Sequence, residues 1–196
     1  EKNGPTGFEY ALAGLLAQEL GVELHLEPAF DLHGIFKKLH REEAHLAAAG
    51  LSLTESRAET YPHSIPYYKL IPQVVYVAGT FRPRSIDDLL DMRIVVLAGS
   101  SHASDLRSMH QDRYPGLQWQ EIPEADSLEL LELISSGDAD VAVLDSNEFT
   151  VQQSLYPRLK VAFDLGSEQD MVWDLAPGTD NTRLLVRINT FIQQLQ

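Results

Sequence analysis

The sequence predicts an α/β protein of two similar lobes, each a mostly parallel sheet flanked by helices. Two observations lead to this fold class. Helix-like and strand-like segments alternate along most of the 196 residues. In addition, residues 35–50 and 130–145 align without gaps at an offset of 95, each running from a helix through a polar turn into a strand. Any two βα units look alike, so a single larger sheet is the alternative interpretation of this repeat.

The first fifty residues are predicted to fold as helix, strand, helix and strand. Thr6 and Glu9 have the spacing of a capping box, and Gly21 stands where the first helix should end. Apolar residues at helical spacing follow both helix starts, whereas alternating or small apolar residues mark the strands. The predicted segments are a helix over 8–20, a strand over 22–26, a helix over 31–39 and a strand over 45–49.

Residues 61–72 hold three prolines and three tyrosines, and they predict an extended loop because proline cannot continue a helix. The alternation of strands and helices then resumes. The predicted strands are 73–78, 93–98, 117–122, 140–144, 159–163 and 171–175, and the predicted helices are 85–90, 101–109, 127–136, 146–155 and 180–195.

The charge of the chain excludes several classes of partner. Fifteen Lys and Arg against 29 Asp and Glu give a net charge of −14, so we expect neither nucleic acid nor an anionic lipid surface to bind. The apolar runs are too short to span a membrane. With no cysteine, no disulfide can form. The chain begins at Glu1 without a leader, so we expect it to be a piece of a longer polypeptide.

Familiar catalytic and metal-binding patterns are absent from the sequence. It contains no Gly-x-Ser-x-Gly elbow, P-loop, dinucleotide fingerprint or His-Glu-x-x-His. The seven histidines are scattered, and we expect them at the surface or at helix ends. We therefore predict no catalytic residue, no metal and no cofactor for this chain.

Polar residues follow directly on predicted strands, which is where open α/β sheets bind ligands. After the strand at 45–49, Gly50 and Ser52 offer backbone amides and a hydroxyl, and Arg57 follows shortly. This set suits a carboxylate, because a guanidinium can bind both of its oxygens. A surface arginine after a capped turn is the alternative, and spacing alone favours it.

Two further candidate positions follow later strands. Gly99, Ser100 and Ser101 lead into a helix, whose N-terminus favours an anion, although Ser101 could serve only as an N-cap. Asp145 ends a buried strand and could hold an ammonium group. Capping of the next helix, for which Ser146 competes, is its alternative role.

Apolar contacts to a ligand have three candidates, namely Leu32, Tyr67 and Tyr68, with a place in the helix core as the alternative for Leu32. Combined with the two anion sites and the ammonium partner, they give the charge pattern of an amino acid.

The stretches Ala49–Arg57 and Ile65–Tyr68 resemble the signature of polar-amino-acid solute-binding proteins, which have the two-lobed periplasmic-binding-protein type II fold. The resemblance implies ligand binding in the cleft between the lobes and the chain order lobe 1, lobe 2, lobe 1. We assign residues 1–78 and 168–196 to lobe 1, which would lack its first strand, and 79–167 to lobe 2. The implied roles are carboxylate binding by Ser52, Arg57 and Ser101, ammonium binding by Asp145, and an apolar wall at Leu32.

A narrower resemblance is carried by five stretches: Thr6–Tyr10, Arg82–Arg84, Val96–Ala103, Leu144–Glu148 and Tyr156–Asp164. They are similar to the N-terminal domain of the membrane-bound lytic murein transglycosylase F family. That family implies a periplasmic module, in a parent associated with the outer membrane, that senses cell-wall peptides, muropeptides or amino-acid-like ligands. Its implied partner is the C-terminal catalytic domain of the same polypeptide, a peptidoglycan lyase.

The chain departs from this family in four ways. The family's first strand and the loop after it would precede Glu1, and its catalytic domain would follow Gln196. The last helix stops early, and His45 stands where aspartate is usual. Two other functions stay open. One is a free-standing amino-acid-binding protein of an ABC transporter. The other is a small enzyme on the same fold, such as a prephenate or arogenate dehydratase, with Asp145 as its acid.

Overall fold

The computed structural model describes residues 7–178 and 180–196, and these residues divide into two compact units. The first unit holds Gly34–Lys69, Asp170–Gln196 and the described part of Glu1–Ala29. The second unit holds Phe30–His33 and Leu70–Gln169. The chain thus enters the second unit near residue 70, earlier than the predicted boundary at 78, because the strand that follows residue 70 pairs within the sheet of the second unit.

Most of the predicted helices and strands form, but one predicted strand is absent, a short helix that was not predicted follows residue 54, and a short strand lies within the predicted loop at 61–72. In chain order they are α1 (Phe8–Leu20), α2 (Leu32–His40), β1 (Leu46–Ser52), α3 (Glu55–Thr60), β2 (Tyr68–Leu70), β3 (Pro72–Val77), α4 (Ile86–Leu89), β4 (Ile94–Leu97), α5 (Ser101–Asp112), β5 (Gln120–Ile122), α6 (Ser127–Ser136), β6 (Val141–Asp145), α7 (Ser146–Gln152), β7 (Leu159–Asp164), β8 (Gln169–Leu175) and α8 (Thr182–Leu195).

The absent strand is the one predicted over 22–26, and that prediction is wrong. The segment after Gly21 forms no ladder with any described strand, and Val22 and Leu26 are exposed. Alternation of apolar residues therefore does not suffice for a strand, since a strand also needs a neighbour whose backbone groups pair with its own.

The sheet of the first unit has the strand order β1, β8, β2. β1 and β8 are antiparallel, with Leu46 opposite Leu175 and Ser52 opposite Met171. The prediction of a mostly parallel sheet is wrong for this pair, because no helical crossover joins the two strands. β8 arrives only after the whole second unit has been traversed. Helices α1 and α8 pack against β8, and the buried core consists of Leu12, Leu16, Trp173, Leu175, Ile188, Phe191 and Ile192.

Glu9 on α1 anchors two aromatic residues of this core. Its carboxylate accepts hydrogen bonds from the Tyr67 hydroxyl and from Nε1 of Trp173, the latter at 3.0 Å. Burial and the charge of Glu9 raise the pKa of Tyr67, so the hydroxyl stays a donor. Thr6, the other half of the predicted capping box, lies outside the described residues.

The sheet of the second unit has the order β5, β4, β6, β3, β7. β4 is parallel to β5 and β6, whereas β3 is antiparallel to both β6 and β7. Four strands therefore share one direction and β3 alone opposes them. Both faces of the central strands are covered, so β4 is apolar throughout and β6 is apolar up to Asp145. Ile94 and Val96 of β4 pack into one core with Leu106 of α5, and Val95 packs into the other with Leu130 of α6.

Candidate functional site

The end of β1 and the first turn of α3 bring Ser52 and Arg57 together. Thr54 caps α3, since its Oγ1 accepts a hydrogen bond from the Arg57 amide at 3.2 Å. Nη1 of Arg57 donates to the Ser52 carbonyl oxygen at 3.0 Å. Gly50, two residues earlier, has φ +66° within the stretch where the β1–β8 register shifts, a conformation that favours glycine. The predicted Gly50, Ser52 and Arg57 set is thus one local cluster.

Arg57 is not the surface residue that spacing alone favours, because only 9% of it is exposed. Its guanidinium carbon lies 4.9 Å from the centroid of the Phe36 ring, which in turn lies 5.2 Å from the Tyr61 ring. A cation over an aromatic face is stabilised and oriented. The Ser52 Oγ is buried and has no hydrogen-bond partner in the described part of the chain. A fixed cation beside an unsatisfied hydroxyl is chemically suited to a carboxylate.

Asp174 is a member of this cluster that the sequence did not reveal. Its exposure is 0%, and neither carboxylate oxygen accepts a hydrogen bond from any described residue. Burial raises the pKa of Asp174 to about 6, while the positive charges of Arg57 and His63 oppose the rise. The signal that could have identified it is the single charged residue within the apolar segment 171–175.

In the second unit, the turn after β4 forms the N-terminus of α5. Gly99 has φ +73°, and Oγ of Ser100 accepts a hydrogen bond from the Ala103 amide at 3.1 Å. Ser100 is therefore the N-cap, and Ser101, for which capping was the alternative role, is the first residue of the helix. Both serines are buried. The predicted set of Gly99, Ser100 and Ser101 lies at the carboxyl end of β4.

Asp145 lies at the corresponding end of β6, the parallel neighbour of β4. It is the N-cap residue of α7, but its side chain makes no capping hydrogen bond. Instead Oδ1 of Asp145 lies 3.0 Å from Nε2 of His102 on α5. The contact is at ion-pair distance without hydrogen-bond geometry, since Oδ1 of Asp145 has no hydrogen-bond partner among the described residues. Burial lowers the pKa of His102, but the nearby carboxylate of Asp145 outweighs burial, so the pKa is raised. His102 lies at a helix end, which is one of the two positions expected for the histidines, but it is buried and not at the surface.

Two more acidic residues surround this pair. Asp105 accepts a hydrogen bond from Nε2 of Gln169 at 3.0 Å, and its burial raises its pKa. Burial and the charge of Asp145 raise the pKa of Glu148 to about 7. The sequence signal for these two acidic residues is a spacing of three residues, which brings side chains together on one helix face. This spacing relates His102 to Asp105 and Asp145 to Glu148.

The three apolar candidates differ in their surroundings. Leu32 begins α2, is half-buried and groups with the second unit. The Tyr67 hydroxyl is bound to Glu9, and its ring lies 5.5 Å from Trp173, so this residue is part of the core of the first unit. Tyr68 is half exposed.

The described residues, 7–178 and 180–196, offer neither a metal site nor a membrane-spanning helix. No group of three His, Asp or Glu side chains there could hold a metal ion. No helix there is both long and apolar enough to cross a membrane.

Proteins similar in sequence are named membrane-bound lytic murein transglycosylase F. The relative from Ectopseudomonas mendocina (strain ymp) is 41% identical over 197 residues, and the one from Pseudomonas putida (strain W619) is 40% identical over the same length. Each match covers 100% of this chain and 40% of the relative. The chain thus spans well under half the length of these relatives.

Solved structures with this fold include arginine-binding proteins. The arginine-bound form of truncated ArgBP from T. maritima has a TM-score of 0.89 and 24% identity to this chain. The alignment covers 100% of this chain and 89% of the ArgBP chain. An ancestral arginine-binding protein bound to arginine has a TM-score of 0.86 and 25% identity, covering 100% and 84%.

These structures confirm the predicted α/β fold, which is that of amino-acid-binding periplasmic proteins. The family of bacterial extracellular solute-binding proteins, family 3, matches residues 1–196. The chain belongs to the bacterial extracellular solute-binding proteins of family 3.

Proposed function

We propose that this chain binds a small ligand with a free carboxylate, either amino-acid-like or a muropeptide, and acts as the sensing module of a periplasmic lytic murein transglycosylase. The observation that carries the proposal is Arg57. It is a buried guanidinium held by the Ser52 carbonyl and the Phe36 ring, next to the unsatisfied Ser52 hydroxyl.

The first unit supplies the main carboxylate contact in this proposal. Phe36 and Ser52 fix the guanidinium before any ligand arrives, so little side-chain entropy remains to be lost on binding. The net charge of −14 repels anions at long range, and affinity must therefore come from these local groups.

The second unit supplies an anion site and an acidic site in the same proposal. Ser101 opens a helix of 12 residues, whose first amides and dipole favour a carboxylate. Asp145 and its acidic neighbours face any polar group bound at the same sheet edge.

Control of a catalytic domain is the regulatory half of the proposal. Its support is that relatives named membrane-bound lytic murein transglycosylase F match this chain along its whole length and are much longer. Ligand binding would shift the population of conformations, and a tethered peptidoglycan lyase would respond to that shift. Such a protein would act in the periplasm with its parent associated with the outer membrane.

A free-standing amino-acid-binding protein of a transporter is the second candidate. It is favoured by the similarity to arginine-binding structures. The two candidates differ in the consequence of ligand binding. A sensing module changes the rate of peptidoglycan cleavage when its ligand is added, whereas a transport protein does not.

Titration calorimetry on the full-length protein tests the binding step, with free amino acids and purified muropeptides as probes. Arg57→Ala should weaken carboxylate binding at least 100-fold, because about 3 kcal/mol is lost when a buried carboxylate has no partner. Arg183→Ala, at an exposed arginine of α8, is the matched control. Unchanged affinity in a folded Arg57→Ala variant would refute the binding proposal. Cleavage rates that ignore a bound ligand would refute the regulatory half.

A further inference from the structure

Asp174 is a buried carboxylate of the first unit that no residue among 7–178 and 180–196 holds by a hydrogen bond. In the sheet it stands between Ala47 of β1 on one side and His63 on the other. Its neighbours Trp173 and Leu175 point into the core against α1 and α8. Because side chains alternate along a strand, the side chain of Asp174 points to the opposite face of the sheet.

The charges of Asp174 and Arg57 act on each other and on the same aromatic group. Burial and the charge of Asp174 raise the pKa of Tyr61, the residue that ends α3, while the charge of Arg57 opposes this rise. The Tyr61 ring lies 5.2 Å from the ring of Phe36, over which the guanidinium of Arg57 lies at 4.9 Å. The carboxylate and the guanidinium therefore interact through space, although no hydrogen bond reaches the carboxylate.

A ligand carboxylate at Arg57 would be a second negative charge in this region. Two carboxylates near one cation repel each other when both are ionised, and the one that is poorly solvated takes up a proton more readily. Asp174 is that one, since it is fully enclosed and has no donor to stabilise its ionised form. Its protonation leaves the charge of the guanidinium to the ligand.

We propose that Asp174 is a further determinant of ligand binding in the first unit, because its ionised carboxylate opposes a ligand carboxylate at Arg57 and takes up a proton from solvent when that carboxylate binds. The inference rests on the proposed function, since it takes Arg57 as the carboxylate contact. It involves residues of the first unit alone.

The charge of Asp174 changes within an accessible range of pH. Burial raises the pKa of Asp174 to about 6, opposed by the charges of Arg57 and His63. The residue is therefore mostly protonated at pH 5 and ionised at pH 8. The groups that face it are Arg57 and Tyr61 on α3 and at its end, and His63 and Tyr67 in the segment that follows. Of these types, histidine also titrates near neutral pH, so His63 is the competing cause.

The experiment is titration calorimetry on the full-length protein between pH 5 and pH 8. The probes are N-acetylalanine and Nα-acetylarginine, because each has one carboxylate and no group that titrates in this range. A bound carboxylate that makes the proton tenfold harder to remove from Asp174 weakens binding about eightfold from pH 5 to pH 8. Runs at pH 6.5 in MES and in imidazole, which differ in ionisation enthalpy, should then show uptake of about half a proton.

Three variants identify the group that takes up the proton. Asp174→Asn should bind with nearly the same affinity from pH 5 to pH 8 and should take up no proton. Asp170→Asn, at a partly exposed residue of the same strand, is the matched control and should behave as the wild type. His63→Gln should keep the pH dependence. Loss of the pH dependence in His63→Gln, with its retention in Asp174→Asn, would overturn the inference.

The outcomes separate the two proposals. Binding that is lost in Arg57→Ala but is independent of pH in the wild type overturns the role of Asp174 and leaves the binding proposal standing. If neither probe binds to the folded wild type at pH 5, both proposals are overturned.

Carboxyl ¹³C NMR gives a test without any ligand, with the Asp174 signal assigned by its loss in Asp174→Asn. Arg57→Gln should raise the pKa of Asp174, because a positive charge that opposes the rise has been removed. An unchanged pKa of Asp174 in the folded variant would show that the two groups are not coupled and would overturn the inference.

Discussion

Replacement of Asp174 by Asn should remove a large part of the pH dependence of stability. Asp174 is fully buried in β8, and no described residue donates a hydrogen bond to its carboxylate. Folding therefore disfavours the ionised form, and the pKa rises from 3.8 to about 6. Asn has nearly the same shape and does not titrate.

The sign and the size of the effect can be worked out from the shift. The folded state binds the proton more tightly, so the stabilisation is complete below the unfolded pKa of 3.8 and is lost as the pH rises through about 6. The whole shift is worth about 3 kcal/mol, of which about 2 kcal/mol falls between pH 4.5 and 8. The difference in unfolding free energy between Asp174→Asn and the wild type should grow by that amount over this range, in favour of the variant.

Urea unfolding followed by circular dichroism at several pH values measures this difference. Asp170→Asn, at a partly exposed residue of the same strand, is the control and should track the wild type. Parallel pH profiles of Asp174→Asn and the wild type would show that the burial argument for Asp174 is wrong. The absolute offset between the profiles carries no weight, because the substitution also alters the surroundings of Arg57.

Three other changes have defined outcomes. In urea unfolding, the wild type should lose about 3 kcal/mol of stability as the pH rises from 4.5 to 7, because the folded state holds the Glu148 proton more tightly than the unfolded state. Glu148→Gln should remove this loss. An unchanged slope of unfolding free energy against pH in the variant would contradict the raised pKa of Glu148. Glu9→Ala should lower the free energy of unfolding by about 2 kcal/mol or more, because Tyr67 and Trp173 lose their hydrogen-bond acceptor. Glu19→Ala, at an exposed residue of the same helix, is the control and should change thermal unfolding very little. Equal losses of stability in the two variants would disprove the anchoring role of Glu9. Gly50→Ala should lower the free energy of unfolding by about 1 kcal/mol, because alanine is strained at the positive φ of this position. Gly116→Ala is the control, since Gly116 has no positive φ. Equal urea midpoints for the two variants would show that the backbone at Gly50 is not strained.

Local features of the fold could be predicted from the sequence because their causes are local. The helix over 127–136 was placed with its correct ends, since Asp126 caps it and Gly137 stops it. The strands β4 and β6 of the second unit were also predictable, because each is a short run of buried apolar residues. Strand direction was not predictable in the first unit, because β1 and β8 meet only through the tertiary structure.

The candidate site likewise contains residues that are close in sequence and residues that meet only through the tertiary structure. Gly50, Ser52 and Arg57 fall within eight residues of one another, so their clustering was visible in the sequence. The partnership of His102 with Asp145 was not, because it depends on two parallel strands that place α5 beside β6. Asp174 was missed for a related reason, since its burial is set by residues far away in the chain.

The order of strands in the two units has a consequence for folding. β1 and β8 are separated by roughly 115 residues, almost all of them in the second unit, so pairing them in an unfolded chain means closing a very long loop. If the second unit folds first, the pairing of β3 with β7 joins the two ends of this insertion. The effective loop then shrinks to roughly 25 residues, which lowers the entropic cost by about 1.4 kcal/mol. The second unit, encoded in one nearly continuous stretch, is thus the natural first folding step, and it prepares the closure of the first.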